Sequence, residues 1–574
     1  MGDASHGNPS RLYTAGSRFT STGVPDDEAA GADELEPSDL YGTGCFQLMI
    51  LLCCQLATFA LLTQHLSLLL MSVEVKHWCK QPTDSNATLS DWKALSIPVD
   101  KDTGEYSSCT RYEPPLDEFS ANRTVAPCQD WGYDPPLRNM LTEWNMVCQR
   151  RWLQPFVLSL HMSGAMVAAP MAGHVSDRVG RRPVICASVL ILVVSGMAAS
   201  FASTLSLFLA FRLMMAASAT SVQLATFVLL FEAVPPRHRG LYCTVYQFGL
   251  VSAAIFLRAL SWFSLGRFEL SMIVMVPTSL LICCFYMAEE SPRWLLATWN
   301  MSQAGQVILR VAKINGLALS DTQQRWTRAL ALAHANRDKV SYLMRTPFLD
   351  LAFSPSLRKR MTPLLWCWFA LTFSYYSFAY NVLFDAVTDF VYFLAVTFLL
   401  PCFYASYLST KVFGRRSTLS SILVIQGSLA GAIGAMSRMD QKGPASSSLD
   451  AALLVLATCT LDASVVVLFT YTAELFPTVV RNVGLGTASM AGRAGGIFAP
   501  FVRDLSRGVH PSLPLLLVSA STLLTAVAVR YLPETKCSKA EKTTEGVMRD
   551  AVRPPTRSND VTPRVQSEMW RRAE

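Results

Sequence analysis

Ionisable side chains inside long apolar segments are the residues of this chain whose position predicts chemistry. Arg493 lies in the segment SMAGRAGGIFAP, and a charge within such a segment by default marks a ligand or ion pathway. Arginine stays protonated, and its planar fork suits a carboxylate or a sulfate. Arg493 is therefore the first candidate contact for the negative group of a ligand, and a buried ion pair is the alternative.

Asp462, in the segment CTLDASVVVLF, is a possible partner of Arg493. It could pair with Arg493 permanently, which would weaken anion binding. It could instead bind a cationic group, so that the site would suit zwitterions. It could also face the outer half of the membrane and take no part. The sequence leaves these three alternatives open.

Aromatic and polar residues of other apolar segments complete the candidate site. The segment WCWFALTFSYYSFAY has eight aromatic residues in fifteen, more than one packing face needs. Tyr375 and Tyr376 of this segment are predicted to line a cavity, with helix packing or an interfacial aromatic belt as the alternative. His65, His161 and Tyr246 are further candidate substrate contacts, although lone histidines in membrane helices are more often hydrogen-bonded packing groups.

The sequence shows no nucleophile–base constellation, no phosphate-binding loop and no cluster with metal-ligand spacing. We therefore expect neither an enzyme nor an ATP-driven pump, and no cofactor or metal. The net charge of +7 comes from basic residues in short runs between apolar segments, which is no sign of a nucleic-acid partner.

Composition indicates a membrane protein, because 51% of the 574 residues are hydrophobic and only 16% are charged, against roughly 25% charged in soluble proteins. The apolar residues fall in blocks of about 20, the length of helix that crosses a bilayer. Twelve blocks lie near residues 45–73, 153–175, 184–204, 206–231, 241–263, 269–288, 362–384, 387–409, 417–437, 449–471, 483–505 and 511–532. The prediction is an all-α membrane protein with twelve transmembrane helices in two pseudo-symmetric six-helix bundles.

The order of blocks and loops predicts the domain organisation and its orientation. The basic loops DRVGRRP, PPRHRG and KVFGRR alternate onto one side, and positive loops face the cytoplasm. Both termini are therefore expected in the cytoplasm. The predicted domains are a disordered acidic tail (1–44), a six-helix bundle (45–288) with a large outer loop (74–152), a cytoplasmic helical linker (289–361), a second six-helix bundle (362–532) and a C-terminal tail (533–574).

The outer loop carries four cysteines and two glycosylation sequons. Cys79, Cys109, Cys128 and Cys148 lie on the outward, oxidising side, so they predict two disulfides with three possible connectivities. The sequons predict glycans on Asn86 and Asn122.

An internal duplication relates the two bundles. GHVSDRVGRR follows block 2 and YLSTKVFGRR follows block 8, and their last glycines, Gly180 and Gly414, are 234 residues apart. FEAVPPRHRG ends block 4 and AELFPTVVRN ends block 10, with their glutamates 242 residues apart. Parallel repeats of this kind place a substrate site between the halves near mid-membrane.

The repeated loops also predict a gate at the cytoplasmic surface. Ion pairs there could hold the halves together while the cavity opens outward, and they would break when it opens inward. Ordinary positive-inside anchoring is the alternative. The predicted gating residues are Asp177, Arg181, Arg182, Glu232, Arg239, Arg415, Glu474 and Arg481.

These motifs resemble a known family. GHVSDRVGRRPV is similar to the signature that follows helix two in the major facilitator superfamily. The segments LTEWNMVC, EESPRWLL, YTAELFPTVVRNVG, LPET and the opening YGTGCFQLMILL resemble its organic anion, cation and carnitine transporters. The resemblance runs from about Leu40 to Thr535 and implies twelve spans, a glycosylated outer loop, plasma-membrane residence and transport of small organic ions.

The resemblance also bears on the charge of the substrate. Members that carry cations have Asp at the position of Arg493, whereas anion and carnitine transporters have Arg, and Tyr375 and Tyr376 match a tyrosine pair of the anion transporters. The chain departs from that pattern in block 8. Phe403 stands where anion transporters usually have a basic residue, and Leu399 replaces an acid, which puts dicarboxylate exchange in doubt.

We therefore predict a secondary active or exchange transporter that moves small organic anions or zwitterions across the plasma membrane by alternating access. Its partners would be the substrate, the lipid bilayer and a counter-ion or exchange substrate, without ATP or nucleic acid. One alternative is a carnitine-type or cation transporter that uses Asp462. Another is a receptor or scaffold that kept the fold and lost transport.

Overall fold

The computed structural model describes most of the chain between residues 37 and 535. The described ranges are 37–73, 75–82, 88–99, 105–113, 124–134, 138–335, 355–379, 389–440, 448–476, 481–510 and 512–535. The predicted tails lie largely outside them, but residues 37–41 at the end of the predicted N-terminal tail form a short helix, Pro37–Tyr41. This helix is ordered because the Tyr41 ring is fully buried and its hydroxyl donates to the Ala233 carbonyl at 3.3 Å.

Each of the twelve apolar blocks is helical within the described residues, and we call these helices spans 1 to 12. Helices are expected there because hydrocarbon leaves backbone N–H and C=O groups no partner outside the segment. The spans are Cys45–Leu70, Leu153–Val179, Arg181–Ser200, Leu205–Ala233, Pro236–Ser261, Arg267–Met287, Pro355–Phe378, Asp389–Phe413, Arg415–Asp440, Ser448–Leu475, Arg481–Val509 and Leu513–Val529.

Spans 1 to 6, 9 and 10 are long and apolar enough to cross a membrane by length and composition. Span 11 is diluted by five glycines before residue 497, and span 12 has 17 residues. Span 5 is interrupted between Pro236–Val245 and Phe248–Ser261. Span 6 passes from Arg267–Ser279 into a 3-10 turn after Pro277, whose ring removes one helical N–H donor.

Packing divides the spans into two halves that meet along two seams. In the first half, span 4 packs on spans 1, 2 and 3, and in the second, span 9 packs on spans 10 and 12. Span 2 packs along span 11, and span 5 meets span 8, across the boundary between the halves. Glycines permit the first seam, since a Cβ on Gly486 would lie 2.4 Å from the Ala169 carbonyl oxygen.

The two halves repeat one capping arrangement. Glu290 accepts the first two backbone N–H groups of span 3 at 2.9 and 3.2 Å, and Glu534 accepts the first two of span 9 at 2.8 and 3.2 Å. The preceding glycines, Gly180 and Gly414, both have positive φ, +112° and +89°. Such dihedrals favour glycine, so the repeated motif has the same local structure in both halves.

The outer loop contains two pairs of short antiparallel strands, Lys76–Cys79 with Trp131–Asp134 and Thr110–Glu113 with Thr124–Pro127. Disulfides join Cys79 to Cys128 and Cys109 to Cys148, one of the three connectivities left open by the sequence. Asn86 and Asn122 lie outside the described residues.

The linker between the halves is helical where it is described. It contains Pro292–Ala297, Met301–Ile314 and Leu319–Ala335. Asn315 attaches it to the start of span 1, because its side chain accepts from the Phe46 N–H at 3.0 Å and donates to the Tyr41 carbonyl at 2.8 Å.

Candidate functional site

A cavity of about 100 Å³ lies between the two halves. Spans 1, 4 and 5 of the first half and spans 7, 10 and 11 of the second contribute to its wall, which is mainly apolar and aromatic. Among the described residues that line the cavity, Arg493 is the one charged residue. Tyr246, Tyr375 and Tyr376 are also in the wall. The structure thus brings four of the seven predicted substrate contacts into one cavity.

Arg493 is buried, with 8% of its surface exposed, and forms no ion pair among the described residues. Its Nη1 atom donates to His65 Nε2 at 3.3 Å and to Tyr376 Oη at 3.4 Å, while its Nε has no hydrogen-bond partner. A buried charge without a counter-ion is expensive. The arrangement therefore favours a bound anion beside this guanidinium.

His65 and His161 form a hydrogen-bonded pair behind Arg493, both 1% exposed. His65 Nδ1 lies 3.0 Å from His161 Nε2, and His161 Nδ1 lies 3.1 Å from the Arg212 carbonyl oxygen. Donors and acceptors fix the tautomers, because Arg493 can only donate and the carbonyl can only accept. Both histidines are therefore neutral with the proton on Nδ1. Each of their four ring nitrogens then faces a matching donor or acceptor.

The tyrosines hold different positions in the wall. Tyr376 is 3% exposed, and its ring is perpendicular to that of Tyr375 at a centroid distance of 5.4 Å. Tyr246 is 1% exposed, accepts from Gln223 Nε2 at 3.2 Å and packs on Phe227. Tyr376 therefore orients Arg493, and the other rings provide apolar surface.

Asp462 lies apart from the cavity. It is 4% exposed, it is not among the residues that line the cavity, and it forms no ion pair with Arg493 within the described part of the chain. Its ionisable neighbours are the thiols of Cys402 and Cys459. The permanent Arg493–Asp462 pair considered from the sequence is thus not present in this conformation.

Four of the predicted gating residues, Asp177, Arg181, Glu232 and Arg481, form one network where spans 2, 3, 4 and 11 meet. Arg181 pairs with Asp177 and with Glu232, each at 3.0 Å. Across the boundary, the Val483 N–H donates to Asp177 at 3.1 Å, and Arg481 Nη1 lies 3.8 Å from Glu232. The network is largely buried, and two of its contacts join the halves.

The second half has the corresponding pair, and the remaining gating candidates have separate contacts. Arg415 pairs with Glu474 at 3.0 Å. Arg182 lies 3.6 Å from Glu289 at the start of the linker. Arg239 donates to the Val234 carbonyl at 3.3 Å.

Sequence reasoning missed Arg212 of span 4. Its guanidinium is 2% exposed and donates to the Gln64 carbonyl, Ser67 Oγ and Met71 Sδ. Among the described residues it has no carboxylate partner. The signal was available, because Arg212 is a charge inside an apolar block, the same criterion that selected Arg493.

Comparisons with known proteins agree with this architecture. Residues 102–546 match the model of a family described as "Sugar (and other) transporter". The chain is 29% identical over 473 residues to organic anion transporter 3 of Homo sapiens, covering 80% of this chain and 83% of that protein. It is 27% identical over 521 residues to solute carrier family 22 member 6-B of Xenopus laevis, covering 86% and 91%.

Solved structures resemble the chain in fold. The major facilitator superfamily proton:xylose symporter XylE, bound to 6-bromo-6-deoxy-D-glucose, aligns with a TM-score of 0.58 at 15% identity, covering 86% of this chain and 97% of that one. The inward open conformation of XylE from E. coli aligns with a TM-score of 0.56 at 14% identity, covering 87% and 98%. This likeness confirms the predicted fold class.

Proposed function

We propose that this chain, which belongs to the sugar (and other) transporter family, is a secondary transporter that moves small organic anions or zwitterions by alternating access. The observation that carries the substrate class is Arg493, a buried guanidinium in the wall of the central cavity with no ion pair among the described residues. The relatives named organic anion transporter 3 support the same substrate class.

The cavity suits a small aromatic or aliphatic anion. A carboxylate or sulfate would accept from the Arg493 fork, and the organic body would pack on the rings of Tyr375, Tyr246 and Phe469. The ligand would then supply the negative counter-charge for the Arg493 guanidinium.

Alternating access would use the cytoplasmic network. In the present conformation, Asp177 and Glu232 of the first half contact the start of span 11. Opening toward the cytoplasm requires these contacts to separate, as the gating prediction proposes. A gradient or an exchange substrate would drive the cycle.

The chain is a multi-pass membrane protein, and we propose that it resides in the plasma membrane with both termini in the cytoplasm. The basic loops next to spans 2, 4 and 8 support this orientation. The two disulfides of the outer loop support its exposure to an oxidising compartment.

The cation alternative has less support. Asp462 would be its contact, and this side chain is buried outside the cavity wall beside Cys402. A cationic substrate would instead meet Arg493, which repels it.

Reconstitution in proteoliposomes tests the proposal. We expect exchange of a labelled aromatic monoanion in wild type, loss of that exchange in Arg493→Ala, and partial recovery in Arg493→Lys, which keeps the charge without the fork. Arg503→Ala on the same helix is the matched control and should keep exchange.

A panel of anions, zwitterions and quaternary ammonium ions defines the substrate charge. Unchanged anion flux in Arg493→Ala, with equal amounts of reconstituted protein, would contradict the assignment of Arg493. Ligand binding without flux in wild type would favour the receptor alternative. Flux of quaternary ammonium ions that is lost in Asp462→Asn would favour the cation alternative.

A further inference from the structure

The hydrogen-bond chain behind the cavity crosses the boundary between the halves. His65 and His161 belong to spans 1 and 2, whereas Arg493 belongs to span 11. The Arg493–His65 contact at 3.3 Å therefore joins the halves, and a separation of the halves at this level would break it. Resting on the proposed function, we propose that the His65–His161 pair is the proton-binding site of a proton–organic anion symporter.

An additional proton on the His65–His161 pair is incompatible with the hydrogen bond from Arg493 to His65. In the present arrangement the lone pair of His65 Nε2 accepts from Arg493, and its Nδ1–H donates to His161. An added proton makes Nε2 an N–H donor. If the charge moves on to His161 through the shared hydrogen bond, His65 is left neutral with its hydrogen still on Nε2. In either form His65 cannot accept from Arg493.

The proton can enter and leave only through His65. At the other end of the chain, His161 donates to the Arg212 carbonyl oxygen at 3.1 Å, and a carbonyl cannot pass a proton on. Separation of Arg493 frees the Nε2 lone pair toward the cavity, where it takes one proton from solution. When Arg493 returns to His65, that proton is released. Proton uptake breaks an O–H bond of a hydronium ion and forms the Nε2–H bond, and release to water reverses both changes, so no other reactant is needed.

An anionic substrate favours the protonated state. A proton on the pair would lie between two guanidinium groups, those of Arg493 and Arg212, neither of which has an ion pair among the described residues. A carboxylate or sulfonate placed between His65 Nε2–H and Arg493 accepts from both. Substrate and proton therefore strengthen each other's binding, and the effect is reciprocal by linkage.

The surroundings of His65 supply no competing acid among the described residues. The groups that face it are His161 of span 2, Arg212 of span 4, Tyr376 of span 7 and Arg493 of span 11. Span 6 presents uncharged partners, Met275 and Thr278, to the neighbouring Gln64. Span 5 carries Arg258 toward its outer end. Within this cluster, the histidine pair is thus the group with a lone pair that can take up a proton.

Proteoliposomes containing the full chain test the proposal with an aromatic sulfonate as the probe. A sulfonate stays anionic throughout, so it does not cross lipid as the neutral acid. With about pH 5.5 outside and about pH 7.5 inside, and the membrane potential clamped, the wild type should accumulate the probe. For one proton per monoanion, the accumulation ratio at equilibrium rises about tenfold per pH unit.

His65→Gln is the informative variant, because an amide can still accept from Arg493 and donate to His161 but cannot carry the proton. We expect measurable exchange at equal pH and no accumulation driven by the gradient. His161→Gln should also weaken the gradient-driven accumulation. His174→Gln, an exposed histidine of the same span 2, is the matched control and should leave accumulation unchanged.

The outcomes separate the two proposals. If the wild type shows no exchange of any organic anion, the proposed function fails. If it exchanges the sulfonate but the pH gradient does not drive accumulation, or if His65→Gln accumulates it as the wild type does, the proton site is wrong and the proposed function stands. Alkalinisation of a lightly buffered outer medium on adding the probe to wild-type vesicles supports cotransport of a proton, and its absence overturns the proton site.

Discussion

Arg493 Nη1 lies 3.3 Å from His65 Nε2, although the two residues are 428 positions apart and belong to different halves. The same nitrogen contacts Tyr376 at 3.4 Å, so the cation in the cavity wall is held by one residue from each half. A neutral hydrogen-bond chain orients this guanidinium without cancelling its charge. The position is therefore preorganised for an anion and sensitive to movement between the halves.

Tyr376→Phe should weaken substrate binding. The variant removes the hydroxyl that accepts from Arg493 and keeps the ring in the cavity wall. A hydrogen bond from a charged donor contributes about 1.5 to 3 kcal/mol, so we expect KM for an anion to rise roughly tenfold with a smaller change in kcat. Transport kinetics in proteoliposomes measure both constants.

The control for this variant is Tyr286→Phe, in which the same hydroxyl is removed from a ring that is 88% exposed. It should leave KM unchanged. If Tyr376→Phe also has the wild-type KM, the hydroxyl does not position Arg493 for the substrate.

Glu232→Gln should destabilise the ion-pair network on the proposed cytoplasmic side. The Glu232 side chain is fully buried and faces Arg181 at 3.0 Å and Arg481 at 3.8 Å. Its neutralisation removes negative charge that offsets the two buried guanidinium groups. Removing one partner of such a network costs about 3 to 5 kcal/mol of stability. We expect a lower Tm in detergent and slower transport.

Asp504→Asn is the matched comparison on the outer side of the same seam between the halves. Asp504 lies 3.8 Å from Arg151, and both side chains are more than 40% exposed, at 44% and 42%. Exposed pairs contribute about 0 to 1 kcal/mol, so the Tm should change little. Equal decreases in Tm for Glu232→Gln and Asp504→Asn would contradict the prediction that the buried Glu232 network stabilises the protein more than the exposed Arg151–Asp504 pair.

The sequence allowed prediction of the charged parts of the site because charges are rare in apolar blocks. Arg493 was found in this way, and the repeated loop motifs identified Glu232 and Arg481. The position of Asp462 relative to the cavity could not be predicted from the sequence. Span 10 is apolar on all sides, and the pattern of such a helix does not show which face meets the cavity. The choice among its three alternatives required the packing of span 8 against span 10.

The contact between His65 and His161 could not be predicted from the sequence either. The two residues are 96 positions apart, and nothing local to spans 1 and 2 fixes the register in which these helices meet. The disulfide connectivity could not be predicted from the sequence for a similar reason, since four cysteines permit three pairings. Fold class was easier, because block length and period depend only on the bilayer and the helix.

Glu290→Ala and Glu534→Ala should each destabilise the protein by a similar amount. Each glutamate accepts the first two N–H groups of a span, one in each half. Loss of an N-terminal cap costs about 0.5 to 2 kcal/mol. Thermal unfolding in detergent measures the change, and a large effect in only one of the two would contradict their structural equivalence.

Glu290→Gln adds a test of pH dependence. Burial raises the pKa of Glu290 above its ordinary value, against hydrogen bonds from the N–H groups of Ser291, Arg181 and Arg182 that lower it. A raised folded-state pKa means a contribution that is present in acid and is lost as pH rises through that pKa. The Tm of the variant relative to wild type should therefore increase with pH. A constant difference across the pH range would contradict this.

The two disulfides should stabilise the outer loop independently. They close segments of 49 and 39 residues, for which the loss of chain entropy in the unfolded state predicts about 4 kcal/mol each. Peptide mapping without reduction should recover Cys79 with Cys128 and Cys109 with Cys148. Replacing both cysteines of one pair by serine should lower Tm and surface expression, and a crossed pairing in the map would contradict the structure.

Gly173→Ala should favour opening of the proposed cytoplasmic side. A Cβ at this position of span 2 would lie 2.5 Å from the Asn482 carbonyl oxygen at the start of span 11, which is backbone and cannot rotate away. Overpacking of this kind costs about 1 to 3 kcal/mol, and separating the two halves relieves it. We expect faster amide hydrogen exchange at the end of span 2 and the start of span 11, and transport several-fold below wild type. Gly240→Ala is the control, because its Cβ would meet its nearest atom at 3.4 Å. If both variants exchange amide hydrogens at the wild-type rate, the close approach at Gly173 is not what keeps this side closed.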